Sequence, residues 1–355
     1  MKSVWDGFAG HVAVRDAFER AIARGRLTQA YLFLGPDGVG KFEFARRLAQ
    51  CILCERRTNT QLDACGECNR CRPFLAGNHP DFLIVDRDPG KRELNVAKFV
   101  GEREQRGKAG LCYELSIRPV AGSRKIAIIN DADTMNDEAA NALLKTLEEP
   151  PDGAILFLVV SNPDALLPTI RSRCQSVRFG PLPDEEMERF AAAEGLTAGP
   201  EEARLLASLA GGSRSVARRL AQPGFRELRA HWLQDLAQPK FDGMGVAKRM
   251  AEAVEKLATD TAEQRLLTNW LLQAAAEFYR SALRRLTGPQ ASPGTIPQAA
   301  NWADQFAGDI DRAVDMLSDL LERCSLATAH LEQNVSVGLC LEALCSDLAR
   351  LGRVR

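Results

Sequence analysis

The sequence predicts an α/β P-loop domain, built as a parallel sheet with helices on both faces and carrying a zinc-binding insertion, followed by two all-helical segments. Three observations carry that prediction. The glycine-rich turn Gly35-Pro36-Asp37-Gly38-Val39-Gly40-Lys41 lies between an apolar run, Ala30–Leu34, and a helical pattern that continues to Cys54. Short strand-like runs at Asp81–Val85, Lys125–Ile129 and Ala154–Val160 alternate with helical patterns, the arrangement of a parallel sheet. After Pro181-Leu182-Pro183 no strand pattern recurs. The expected division is a P-loop domain over 1–181 with a cysteine module at about 51–72, a small three-helix lid over 182–239, and a helical collar over 240–355.

The elements follow in order. Val14, Phe18, Ala21 and Ile22 share one face of a helix over 9–24, with Gly25 as its stop. Phe42, Ala45, Ala49 and Ile52 recur at helical spacing after the turn, so Phe42 is expected in the core. Residues 89–110 are charged and poorly periodic, which predicts a helix with an exposed loop. A helix is predicted over Asp137–Leu147, closed by Glu148-Glu149-Pro150-Pro151. Residues 184–222 read as three short helices. Beyond 242 long apolar stripes such as Leu267, Leu271, Ala274 and Phe278 predict packed helices, with a proline-rich gap from Thr287 to Gln298.

A net charge of −1 and 26% charged residues give no global bias toward nucleic acid or membrane. No apolar stretch is long enough to span a bilayer, and the first residues lack a secretory h-region, so the expected location is the cytoplasm. Ten cysteines in such a chain suggest thiols and metal rather than disulfides.

The nucleotide site is damaged on paper. Gly35, Gly38 and Gly40 would let backbone N–H groups face phosphate oxygens, and Lys41 would reach the outer phosphates. The next residue should carry a hydroxyl for Mg²⁺, yet it is Phe42. The strand Ile126–Ile129 should end in an acid that holds the same ion, yet Asn130 stands there. Two losses at one ion predict weak or absent ATP binding and no hydrolysis, because positioning and metal-borne charge supply nearly all catalysis in phosphoryl transfer.

Cys51, Cys54, Cys65, Cys68 and Cys71 fall within one short stretch. Cys54, Cys65, Cys68 and Cys71 make a C-x₁₀-C-x₂-C-x₂-C set suited to a closed structural Zn²⁺ site, with Cys51 as an alternative to Cys54. An iron–sulfur cluster is the rival ligand, less favoured because no redox-partner signature accompanies the thiols. Arg173, in Ser172-Arg173-Cys174, is either a solvated charge or an arginine finger acting in trans; periodicity does not choose.

The accumulated motifs resemble bacterial clamp-loader subunits of the AAA+ class. The resemblance rests on Gly35–Lys41, the four-cysteine loop, His79-Pro80-Asp81, Ile128-Ile129-Asn130-Asp131-Ala132-Asp133, Asn141-Ala142-Leu143-Leu144-Lys145-Thr146-Leu147-Glu148-Glu149-Pro150-Pro151 and Ser172-Arg173-Cys174. It is densest over residues 5–180 and weaker through the C-terminal helices, where Gln333-Asn334 looks like part of a collar. Phe42, Asn130 and Ser215 depart from the hydrolysing gamma/tau type, which carries a sensing arginine in a Gly-Ser-x-Arg pattern; here Arg214 is one residue early. The departures match the delta-prime type. The ten-residue spacer after Cys54 is longer than the family's usual.

The resemblance implies a component of the DNA polymerase III holoenzyme that is itself neither polymerase nor active ATPase. It implies a heteropentamer with gamma/tau and delta subunits, a sliding clamp as partner, and primer-template DNA held without sequence reading. Arg173 would complete the ATP site of the adjacent motor subunit. The alternative is a gamma/tau-like ATPase with an atypical metal site.

Overall fold

The computed structural model describes residues 3–56, 62–88, 90–288, 296–306 and 308–352. It divides into two compact units, Met1–Pro183 and Asp184–Arg355.

In the first unit α1 (Val12–Ala23) precedes β1 (Ala30–Leu34) and α2 (Lys41–Leu53). Then come α3 (Cys71–Leu75), β2 (Phe82–Val85), α4 (Ala97–Val100), α5 (Leu111–Ser116), β3 (Lys125–Ile129), α6 (Asp137–Glu148), β4 (Ala154–Val160), α7 (Pro168–Arg171) and β5 (Gln175–Arg178). The five strands form one sheet in the order β2-β3-β4-β1-β5, every neighbouring pair parallel. This is the expected parallel P-loop sheet with helices on both faces.

Alternation within the apolar runs sorts their side chains onto two faces. Tyr31 and Phe33, Ile126 and Ile128, and Ile155, Phe157 and Val159 join Phe18 and Phe44 in an aromatic core under α1 and α2. Leu32, Ala127, Ile129, Leu156 and Leu158 face an aliphatic core shared with Leu143 and Leu147 of α6. Strands buried on both sides need no polar face, which is why these runs carry no alternation of polarity in the sequence.

Two local expectations change. The described residues 90–110 hold only the four-residue α4 and one 3₁₀ turn, Arg103–Gln105, because the stretch has too few apolar positions at helical spacing to bury a longer helix. The edge strand β5 is absent from the sequence reading. Three of its four side chains are exposed and only Val177 is apolar, so no apolar run announces it.

In the second unit α8 (Asp184–Ala193), α9 (Pro200–Ala210) and α10 (Arg214–Leu220) are the three short helices expected. They are followed by α11 (Pro223–Leu236), α12 (Gly243–Leu257), α13 (Thr261–Thr287), α14 (Pro297–Ala303), α15 (Ile310–Glu332) and α16 (Val337–Leu351). Leu267, Leu271, Ala274 and Phe278 are all buried, and α13 packs against α15 while α12 packs against α16. Trp232 of α11 is buried and its indole Nε1 donates to Leu271 O at 2.9 Å, tying the segment before residue 239 to the helices after it. Residues 289–295 of the proline-rich gap lie outside the described residues. No described helix is long and apolar enough to cross a membrane.

Candidate functional site

The P-loop joins β1 to α2 as the strand–turn–helix order requires. Gly35 has φ 156°, and a Cβ there would lie 2.1 Å from the backbone oxygen of Phe179, so only glycine fits. Gly38 and Gly40 also have positive φ, 75° and 103°, and Gly40 precedes the first turn of α2.

Lys41 is buried, and its ammonium donates to Gly35 O at 2.6 Å, Pro36 O at 2.7 Å and Ser161 Oγ at 2.9 Å. All three donors of the ammonium are therefore used inside the domain. Burial holds its pKa below the ordinary lysine value, opposed by the charges of Asp37, Asp133 and Asp131. Ser161 Oγ in turn donates to the Asp37 carboxylate, and Asp133 Oδ2 accepts from Asn162 N at 2.7 Å and Ser161 N at 3.3 Å. Asp37, a carboxylate within the loop itself, opposes a phosphate there by like charge.

The two positions that would hold Mg²⁺ are otherwise engaged. Phe42 is half-buried and packs on the rim of the aromatic core; the side chain that fills the core is Phe44, fully buried. Asn130 donates through Nδ2 to Asp86 Oδ1 at 3.3 Å, and its neighbour Asp131, in the left-handed region at φ 48°, pairs with Arg87 at 2.6 Å. Sequence reasoning overlooked Ser161 and the carboxylate of Asp37. Their only signal was position: Ser161 is the first polar residue after β4.

The cysteine module is assembled by the ends of two helices. Cys54 ends α2, Cys71 begins α3, and Cys65 and Cys68 lie in the loop between. The four sulfurs lie within 4.8 Å of one another, with Cys54–Cys65 at 3.7 Å and Cys65–Cys71 at 4.0 Å. Four thiolates at ~2.3 Å from one tetrahedral ion stand roughly 3.8 Å apart, so the donor set fits zinc. The backbone N–H of Cys65 donates to Cys54 Sγ at 3.5 Å, and that of Cys71 to Cys68 Sγ at 3.3 Å. For Cys68, burial pushes the thiol up but the N–H groups of Cys71, Glu55 and Arg70 outweigh it and hold it at about 6. Burial, first of all, pushes Cys54 and Cys71 up. Cys51 is buried in the aromatic core and is not part of the set, which decides between it and Cys54. Residues 57–61, half of the long spacer, lie outside the described residues.

Arg173 follows α7, two residues before β5. Its Nη2 lies 2.7 Å from Glu148 Oε1, and Nη1 donates to Thr169 O at 2.9 Å. In the second unit Ser215 Oγ lies 3.1 Å from Ser213 Oγ, at the N-terminus of α10, while Arg214 is buried with its guanidinium 5.5 Å from the ring centroid of Phe190.

Residues 10–183 match the family described as DNA polymerase III, delta subunit. The chain is 37% identical over 208 residues to DNA polymerase III subunit delta' of Pseudomonas aeruginosa, covering 58% of this chain and 60% of that one. It is 34% identical over 175 residues to the delta' subunit of Escherichia coli, 48% of this chain and 49% of that one. It is also 32% identical over 208 residues to subunit tau of Escherichia coli, 58% of this chain and 30% of that one. The matches thus span about half to three fifths of the delta' relatives.

Proposed function

Residues 10–183 match the DNA polymerase III delta-subunit family, and from that premise we propose that the chain serves as a delta-prime-like, non-hydrolysing subunit of a bacterial clamp loader. One observation carries the reading more than any other. Lys41 spends its three donors on Gly35 O, Pro36 O and Ser161 Oγ, while Phe42 and Asn130 stand where a metal's ligands should be. A P-loop so arranged keeps its fold and lacks the means to hold Mg·ATP for attack.

Catalytic help then comes from Arg173. It is partly solvent-exposed and anchored by a carboxylate and a carbonyl rather than by the core. In trans it would stabilise charge on the phosphoryl group transferred in a neighbouring motor subunit. Cys54, Cys65, Cys68 and Cys71 would hold one structural Zn²⁺, which supplies cross-linking of α2 to α3 and no chemistry. The partners in this reading are gamma/tau and delta subunits, the sliding clamp, and primer-template DNA contacted through its phosphates.

Two measurements test this. The purified chain should show no Mg²⁺-dependent ATP hydrolysis. A complex reconstituted with gamma/tau and delta should lose clamp loading when it carries Arg173→Ala. Hydrolysis by the chain alone, abolished by Lys41→Ala, would establish the gamma/tau-like motor instead. Unchanged hydrolysis and loading by the Arg173→Ala complex would refute the trans role.

A further inference from the structure

We propose that the groove between α1 and β5 docks an extended segment of a partner protein in which apolar residues alternate with carboxylates. This goes beyond the clamp-loader reading and does not depend on it. The groove encloses about 340 Å³, and its walls include Val14 and Phe18 of α1, Tyr31 of β1 and Val177 of β5.

Three observations point to this occupant. First, β5 is the edge of the sheet, with β1 on its one paired side. Phe179 N donates to Leu34 O at 2.7 Å, so strand alternation turns the peptide groups of Ser176 and Arg178 away from β1, toward the open edge. Outward N–H and C=O groups on an edge are a template for one more strand. Second, the floor is apolar, which gives the alternate side chains of an added strand a surface to bury. Third, Arg26 and Arg178 both line the groove, no carboxylate lines it, and neither arginine makes an ion pair among the described residues. Both arginines are exposed, and an Arg fork without an acceptor at the rim of an apolar groove fits a carboxylate brought from outside.

Two other occupants fit less well. A second copy of this chain would bring the same two arginines and not the carboxylates they lack. A nucleic acid would satisfy the arginines but has no use for the outward peptide edge. Charge on an edge strand can also serve only to prevent aggregation, but such a defence needs no groove beside it.

The test is a phage-displayed library of random dodecapeptides, selected on the full chain and counter-selected on the Ala17→Trp/Arg178→Glu variant. The expected winners alternate apolar residues with Asp or Glu. A synthetic winner should bind Arg178→Glu and Ser176→Pro about tenfold or more weakly, the size of one lost charge-assisted contact. Its binding to Lys98→Ala, in α4 and outside the groove lining, should be unchanged. Circular dichroism and melting of each variant establish that the domain is folded, and Arg26→Glu supplies a second charge reversal should one variant fail. The proposal is overturned by a selection without winners or by winners that bind all variants equally. Equal binding of a winner with its acids changed to Lys, displacement by a single-stranded oligonucleotide, or self-association that Arg178→Glu abolishes would each overturn it too.

Discussion

The guanidinium of Arg173 sits 2.7 Å from the carboxylate of Glu148, pairing the loop after α7 with the last residue of α6. The side chains are 35% and 49% exposed, so the pair is screened and contributes on the order of 0.2–1 kcal/mol. It is strong enough to favour one rotamer and weak enough to open when a phosphate competes. Glu148→Gln and Arg173→Ala should each shift the stability of the chain by less than ~1 kcal/mol in urea unfolding. In a reconstituted complex Arg173→Ala should lower hydrolysis at the adjoining site by on the order of 10³, as loss of an arginine finger does. Glu148→Gln should leave most of that rate intact. If Glu148→Gln is as damaging as Arg173→Ala, the carboxylate does more than hold a rotamer.

The two aromatic residues at the start of α2 should respond very differently to substitution. Phe44 is fully buried, touching Phe18, Phe33 and Phe179, whereas Phe42 is half-buried at the rim of the same core. Phe44→Ala should cost about 3–5 kcal/mol, the usual range for a buried aromatic. Phe42→Thr should cost roughly 1–2 kcal/mol, in proportion to the area it covers. It should not restore hydrolysis, because Asn130 still lacks the charge that offsets Mg²⁺. Denaturant midpoints and an ATPase assay check both halves.

Elemental analysis should find about one zinc per chain. Cys68→Ala should lose it, while Cys51→Ala should keep it at a cost in packing alone, since Cys51 belongs to the core and not to the sulfur cluster. Iron, or metal retained by Cys68→Ala, would contradict the assignment.

His79 makes stability depend on pH. Its Nδ1 accepts the N–H of Asp81 at 3.0 Å, which requires a free lone pair, and Nε2 has no hydrogen-bond partner among the described residues. Burial holds its pKa below the ordinary 6.5, with Asp81 opposing and Arg70 adding to the effect. The unfolded chain therefore takes up the proton more readily than the folded one. Stability contributed by the neutral ring is present above about pH 6.5 and is lost as pH falls through that value toward the folded pKa. Urea midpoints at pH 7.5 and 5.5 should fall less in His79→Gln than in the parent chain. An equal fall in both would show that other groups set the slope.

Much of the first unit was legible because its signals are local. The runs at Ala30–Leu34, Lys125–Ile129 and Ala154–Val160 are strands at the predicted residues, since a centre strand must be apolar on both faces. Strand β5 was not legible. An edge strand is held by one neighbour and by solvent, and neither leaves a periodic mark on Gln175–Arg178.

By itself the sequence determined what is missing from the nucleotide site, because Phe42 and Asn130 are identities and no folding can give them a hydroxyl or a charge. It also determined which cysteines are close enough along the chain to share a metal. Only the tertiary structure decided between Cys51 and Cys54, because one turn of α2 points the first into the core and the helix end delivers the second to Cys65, Cys68 and Cys71. Only the tertiary structure brought Ser161 to Lys41 and Glu148 to Arg173. These pairs are separated by 120 and 25 positions, and it is the packing of strands and helices that closes the distance.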